Sequence, residues 1–241
     1  MANQMKKLKI LDSQTQLEKD LRRRFNEGFD LIQIILGPRQ VGKTTSILNL
    51  LKDYLGPSYY VSAEKNLTTQ ADWLNEVWQQ AINKNPETLL VIDEIQKIEN
   101  WSERIKTLWD SQRFTKKSNL KLILLGSSSI HIQTGLTESL TGRFEIISAY
   151  HWSLQDTLKI SKMTLDQYLL FGGYPGSYKF LKNSRRFDDY IQNSIINTVI
   201  EKDLLPQGKV RNPALFRQTF QLLRGLPSIE ISYTKLLGQL Q

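Results

Sequence analysis

A glycine-containing segment at residues 37–45, GPRQVGKTT, constrains this chain of 241 residues more than any other stretch. It has the spacing G-x-x-x-x-G-K-[ST], in which two glycines let backbone N–H groups turn towards a phosphate. The apolar run before it, LIQIIL at residues 31–36, predicts a buried parallel strand. A helix-compatible stretch begins near Lys43, and its N-terminal partial positive charge also favours an anion. Strand, loop and helix together predict a nucleoside triphosphate site.

The side chains of this loop have separate expected roles. Lys43 can reach the β- and γ-phosphates, and the hydroxyl of Thr44 can ligate Mg²⁺. The predicted nucleotide-binding residues are Gly37, Pro38, Arg39, Gln40, Val41, Gly42, Lys43, Thr44 and Thr45.

A second stretch, TLLVIDE at residues 88–94, predicts a buried strand that ends in two carboxylates. The carboxyl ends of parallel strands form the edge of the sheet where ligands bind. Because a buried carboxylate is costly without a partner, we expect a metal ion or hydrogen-bond donors there. We predict that Asp93 holds the Mg²⁺ shell and that Glu94, as the catalytic base, orients and deprotonates an attacking water.

Three further strands are predicted at residues 58–63, 119–126 and 145–148, with helical patterns between the strands. This alternation predicts an α/β fold, a three-layer α/β/α sandwich with a mostly parallel five-stranded sheet. The tryptophans in the helical stripes, such as Trp78 and Trp109, are interpreted as core residues. Ser127 and Ser128 follow the fourth strand, where a hydroxyl can bond the γ-phosphate or the water. The sequence does not separate them, and we favour Ser128.

From about His151 onward the pattern becomes helical, which places a domain boundary near residues 150–155. The helical part is interrupted by GGYPG at residues 172–176. The last ten residues start a helical pattern without a capping signal, so we expect the sequence to be a piece of a longer chain.

Composition sets broad limits on function. The chain has no cysteine, which excludes disulfides and thiolate metal sites, and no apolar run approaches the roughly 20 residues of a membrane span. We therefore expect a cytoplasmic protein with no membrane partner. The formal net charge of +8 permits nucleic-acid binding. The basic run at residues 22–24 is interpreted as a solvated helix face rather than a nucleic-acid contact.

Taken together, the segments GPRQVGKTT, VIDEIQ, LLGSSS, LTGRFE and GGYPG closely resemble one bacterial and archaeal branch of the AAA+ ATPases. The resemblance covers residues 15–240 and implies ATP and Mg²⁺ as ligands. It implies a sheet order of 5-1-4-3-2 with a C-terminal helical domain. Residues 37–45 then form Walker A, Asp93 and Glu94 form Walker B, and Ser127 or Ser128 takes the sensor-1 position.

The same resemblance implies that the ATP site is completed by another subunit or domain. Arg143 would be an arginine finger for a neighbour's γ-phosphate, so a homo-oligomer is expected; a salt bridge within its own domain is the alternative. Arg185 and Arg186 are candidates for sensor 2. Longer members continue through a winged-helix-like segment, which residues 229–241 would open, and a DNA or protein partner is expected through this C-terminal region. The predicted domains are residues 1–152, a lid-like 153–228, and 229–241.

Several functions compete. The first is an ATPase that couples hydrolysis to a conformational change on an unidentified partner. The second is a P-loop kinase, although no arginine-rich lid is evident. A recombinase-like arrangement would move the base to Glu64 after the second strand. The last is an ATP-dependent switch or a DNA- or protein-binding module with slow turnover. Transport ATPases of the ABC type are disfavoured because LTGR at residues 140–143 is not an LSGGQ-like signature.

Overall fold

A computed structural model describes residues 8–9, 11–28, 30–65, 72–115, 118–127, 139–205, 212–226 and 230–239. None of the helices in these ranges is long and apolar enough to cross a membrane.

Five strands form one sheet in which every neighbouring pair is parallel. Their order is β2-β3-β4-β1-β5, so the predicted order 5-1-4-3-2 is confirmed. The prediction of a mostly parallel sheet becomes a wholly parallel one. The strands are β1 (Ile32–Gly37), β2 (Ser58–Ser62), β3 (Leu89–Asp93), β4 (Lys121–Ser127) and β5 (Phe144–Ser148).

Helices connect and follow the strands. The first four are α1 (Gln16–Glu27), α2 (Lys43–Asp53), α3 (Trp73–Lys84) and α4 (Trp101–Thr115). After β5 come α5 (Leu154–Ser161), α6 (Leu165–Phe171), a 3₁₀ segment Pro175–Phe180 and α7 (Ser184–Asp189). Beyond α7, π-helical segments Tyr190–Ile196 and Ile200–Leu204 flank α8 (Asn197–Val199), and α9 (Pro213–Arg224) and α10 (Tyr233–Gln239) follow.

The sheet is covered on both faces because its strands are apolar on both sides. Alternate residues of β1 point to opposite faces, so Ile34 packs with α3 and α4 while Ile35 packs with α1 and α2. Trp78 and Trp109 are buried in the core between the sheet and helices α3 and α4, which confirms their interpretation as core residues. The three-layer α/β/α prediction is therefore confirmed.

The chain divides into two compact units, Met1–Lys182 and Asn183–Gln241. The first contains the sheet and helices α1 to α6; the second contains α7 to α10. The boundary predicted at residue 152 falls inside the first unit, and the three predicted domains stay a prediction.

The basic run on α1 differs in part from the solvated face that was predicted. Arg22 is only 3% exposed, and its guanidinium donates to Asp53 on α2 and to the carbonyl oxygen of Lys9. Its neighbour Arg24 pairs with Glu145 on β5 at 3.1 Å. Because α2 and β5 supply carboxylates facing these positions, both arginines hold α1 against its own domain.

Candidate functional site

The loop between β1 and α2 needs glycine at both ends. A Cβ on Gly37 would lie 2.0 Å from the carbonyl oxygen of Ala149, closer than any side chain can approach. Gly42 caps α2 with φ of 97°, a left-handed conformation that favours glycine. The glycine spacing seen in the sequence therefore follows from one close backbone approach and one positive φ. The helix starts at Lys43, as predicted.

The ammonium group of Lys43 lies back on this loop. Its Nζ donates to the carbonyl oxygens of Gly37 at 2.8 Å and Pro38 at 2.7 Å, and the residue is 9% exposed. The positive charge of Lys43 therefore lies beside the loop of residues 37–42, next to the N-terminus of α2 with its partial positive charge.

Thr44 and Asp93 join the loop to the end of β3. The Thr44 hydroxyl Oγ1 donates to Asp93 Oδ2 at 2.7 Å, and Asp93 Oδ1 accepts from the backbone N–H of Glu94 at 2.8 Å. The two predicted metal ligands are thus in direct contact. With Asp93 only 6% exposed, these donors offset the cost of burying its charge.

Tyr60 is a further partner of Asp93 that the sequence reading missed. Its phenolic hydroxyl, on β2, donates to Asp93 Oδ2 at 2.8 Å. Burial first, and then the hydrogen bond to Asp93, raise the pKa of Tyr60 well above its ordinary value of 10.0. The phenol is therefore protonated at neutral pH and serves as a donor. Two adjacent tyrosines in a strand pattern, Tyr59 and Tyr60, gave no signal of this contact.

Glu94 starts a tight turn beyond β3. Its backbone is left-handed, with φ of 54° and ψ of 41°, and it caps the 3₁₀ segment Ile95–Lys97. Within that turn, Gln96 Nε2 donates to Glu94 Oε2 and to the hydroxyl Oγ of Ser127, the latter at 3.3 Å. Ser127 is 3% exposed at the end of β4. Ser128, the favoured serine of the prediction, lies outside the described residues.

A cavity of about 540 Å³ opens beside the phosphate loop within the first unit. One wall comes from α2 and the loop before it, and another from the segment before α1 and its first turn. The remaining wall comes from the segments around α5 and the GGYPG turn. The lining residues are Ser13, Thr15, Glu18, Gln40, Gly42, Thr45, Ser46, Asn49, Trp152, Ile160, Pro175 and Gly176.

The GGYPG segment shapes that cavity through contacts with Trp152. A Cβ on Gly173 would lie 2.3 Å from the carbonyl oxygen of Trp152, and the Trp152 N–H donates to the Gly173 carbonyl at 2.9 Å. Tyr168 donates to the Trp152 carbonyl oxygen at 3.0 Å. The motif was noticed in the sequence, but two helices, α5 and α6, separate it from Trp152 along the chain, so this contact was not predicted.

Arg143 is not part of this constellation. Its Nε and second guanidinium nitrogen donate to the two carboxylate oxygens of Asp110 on α4, at 2.8 and 2.9 Å. Phe144 is level with Ile32 in the parallel pair β1–β5, so Arg143 lies at the amino edge of the sheet. The P-loop follows the carboxyl end of β1, about 20 Å away at roughly 3.3 Å per residue. Arg143 thus cannot touch a phosphate bound by its own loop. Arg185 and Arg186 belong to the second unit.

The fold and loop geometry define a P-loop nucleotide-binding protein. A sequence model described as an AAA domain matches residues 30–158, more than half of the 241 residues. The chain belongs to this AAA family, which confirms the resemblance drawn from its motifs, and it carries an ATP-binding module of that type. A second match, to a domain of unknown function, spans residues 162–241.

The chain is also similar to a curated archaeal protein, whose name adds no function. The protein named Uncharacterized protein MJ1544, from Methanocaldococcus jannaschii, is 22% identical over 229 residues. The alignment covers 87% of this chain and 50% of the relative, so the chain spans about half the length of the relative it matches.

Proposed function

We propose that this protein is an ATPase that hydrolyses ATP with Mg²⁺ and couples its nucleotide state to a conformational change acting on a partner. The observation that carries the proposal is the 2.7 Å hydrogen bond between Thr44 and Asp93. It brings the hydroxyl of the phosphate loop and the carboxylate of β3 to one point, with Glu94 directly beyond.

The phosphate loop supplies the binding energy. The backbone N–H groups of the loop, which Pro38 lacks, and the N-terminus of α2 would face the β-phosphate of a bound nucleotide. Lys43 exchanges its two carbonyl partners, on Gly37 and Pro38, for β- and γ-phosphate oxygens. Charge-assisted hydrogen bonds to phosphate are stronger than bonds to neutral carbonyls, so this exchange favours the nucleotide.

The donors at Thr44 and Asp93 fit Mg²⁺. Both supply oxygen, and this ion is held by one or two carboxylates together with waters and phosphate oxygens rather than by a protein cage. When bound, the ion neutralises the charge that develops on the phosphate oxygens.

Glu94 is the proposed base, and it orients the attacking water and accepts its proton. One hydroxyl after β4, on Ser127 or Ser128, bonds the γ-phosphate or that water. Ser127 is in register with Gly37, the first glycine of the loop, so a hydroxyl at this strand end is close to the start of the proposed phosphate loop. The products are ADP and inorganic phosphate, because water is the acceptor.

The cavity beside the loop is the proposed seat of the nucleoside. Trp152 and Gly176 line one wall and Thr45 lines another, so an occupied cavity ties the GGYPG segment to α2. This is how nucleotide state would reach the rest of the protein. We also propose assembly into a homo-oligomer that presents Arg143 to a neighbour, and a DNA or protein partner for the C-terminal region.

The test is to incubate the purified chain with ATP, with and without Mg²⁺ and with no acceptor, and to measure ADP, free phosphate and bound ATP separately. Hydrolysis predicts equal amounts of ADP and phosphate, with Mg²⁺ required. Bound ATP with no phosphate release would contradict hydrolysis and favour the ATP-dependent switch. ADP formed only when a small-molecule acceptor is added would favour a kinase. Absence of ATP binding would contradict the whole proposal.

A further inference from the structure

Gln96 lies between the proposed base and the end of β4. We infer that Gln96 is the positioning residue that orients the Glu94 carboxylate, with Ser127 as its anchor. The inference rests on the ATPase proposed above and goes beyond it, because neither the P-loop nor the two Walker carboxylates require an amide at this position.

The side-chain amide can face Glu94 in only one sense. A carboxylate oxygen only accepts hydrogen bonds, so Nε2 and not Oε1 must point to Glu94 Oε2. An amide nitrogen has two hydrogens, and the second is directed to the Ser127 hydroxyl at 3.3 Å. Gln96 therefore uses both N–H donors of its amide to link the Glu94 carboxylate to Ser127 on β4. Its Oε1 is buried and has no hydrogen-bond partner within the described part of the chain.

The backbone holds this amide in place. The Lys97 N–H donates to the Glu94 carbonyl at 2.9 Å, and the Ile98 N–H to the Ile95 carbonyl at 3.1 Å. Ile95, fully buried, anchors the turn in the core. Glu94 itself has a positive φ of 54°, which a non-glycine residue adopts rarely. The turn thus fixes the backbone position of Gln96, and the hydrogen bond from its amide fixes the position of the Glu94 carboxylate.

The anchor connects this bridge to the phosphate loop. Ser127 is paired in register with Gly37 in the parallel ladder β1–β4. Contacts through Gln96 and Ser127 therefore fix the position of the Glu94 carboxylate relative to Gly37, where the phosphate loop begins. A base works only within hydrogen-bond reach of the water. The fixed position of the carboxylate therefore matters more to turnover than to nucleotide binding.

The test compares Gln96→Met, which has a similar length but no donors, with Gln79→Met on the exposed side of α3 as a control. ATP affinity, kcat and thermal stability are measured for each. We expect Gln96→Met to lower kcat by about 10- to 100-fold, the effect of one hydrogen bond to a charged group. ATP affinity and thermal midpoint should stay at the wild-type values, and Gln79→Met should change nothing.

A second comparison separates positioning from structural damage. In a Glu94→Gln background, single turnover of labelled ATP is measured with and without Gln96→Met. If Gln96 acts through the carboxylate, Gln96→Met does not lower the rate further in the Glu94→Gln background. Ser127→Ala should likewise lose most of its effect on the rate once Gln96→Met is present. An unchanged kcat in Gln96→Met, an equal loss in both backgrounds, or lost ATP binding would overturn the inference. A wild-type chain that binds ATP without turnover would overturn the proposed function, and this inference with it.

Discussion

Thr44 and Asp93 are 49 residues apart in sequence, yet a 2.7 Å hydrogen bond joins Thr44 Oγ1 to Asp93 Oδ2. The bond connects the first turn of α2 to the carboxyl end of β3. Parallel strands place their carboxyl ends on one edge, so two polar motifs separated by a helix, a strand and another helix meet there. The candidate site is the product of this topology.

Thr44→Ala should weaken the response of turnover to Mg²⁺, because it removes one of the two proposed oxygen ligands. Thr44→Ser keeps the hydroxyl and should behave as wild type. A Mg²⁺ titration of phosphate release at fixed ATP checks this, and the expected shift for Thr44→Ala is about tenfold or more to higher Mg²⁺, the size of one lost hydrogen bond or ligand contact to a charged group. Equal titration curves for the two variants would contradict the role assigned to the hydroxyl.

Tyr60→Phe should destabilise the fold while leaving the ring in place. The lost bond is a donor to a buried carboxylate, so the free energy of unfolding should fall by about 1.5 kcal/mol. Tyr59→Phe is the matched control, since the Tyr59 hydroxyl donates to Gln80 at 2.6 Å at an exposed position. Urea unfolding of both variants measures the difference. A loss no larger for Tyr60→Phe than for Tyr59→Phe would mean that Asp93 does not depend on the phenol.

The sequence was sufficient for those parts of the site that depend on local pattern. The P-loop follows from glycine spacing and the strand ends from apolar runs that stop at polar residues. The sheet order came from the family resemblance. Contacts such as Tyr60 with Asp93 depend on which strands become neighbours and on side-chain direction. A short stretch of sequence determines neither. Gln96 was visible as part of DEIQ, but nothing local showed that its amide reaches Ser127.

The ion pair of Arg143 with Asp110 should make stability sensitive to acid. The hydrogen bond from Arg143 is the largest cause that lowers the pKa of Asp110 below its ordinary value of 3.8. A lowered folded-state pKa contributes stability above the unfolded value, and this is lost as pH falls through the folded-state pKa. Wild type should therefore exceed Asp110→Asn in stability at neutral pH, and the gap should close below pH 3.8. Thermal melts across pH test this, with the exposed Asp188→Asn as a control; a gap that does not change with pH would contradict it.

The same pair allows a test of the arginine finger. Arg143→Ala and Asp110→Ala both break the ion pair, but only the first removes the arginine. A finger presented to a neighbour predicts that Arg143→Ala alone lowers turnover, by about 10³-fold or more, and abolishes any rise of specific activity with protein concentration. If the two variants lose activity equally, the arginine is a structural partner of Asp110, the alternative that the sequence left open.

Glu94→Gln tests the central claim most directly. Glu99→Gln makes the same change at an exposed position five residues later and is its control. We measure ATP binding at equilibrium and phosphate release at steady state for wild type and both variants. The predicted result is that Glu94→Gln binds ATP like wild type but releases phosphate about 10²- to 10⁴-fold more slowly, the contribution of a positioned base, while Glu99→Gln is unaffected. Phosphate release by Glu94→Gln at the wild-type rate would contradict the claim.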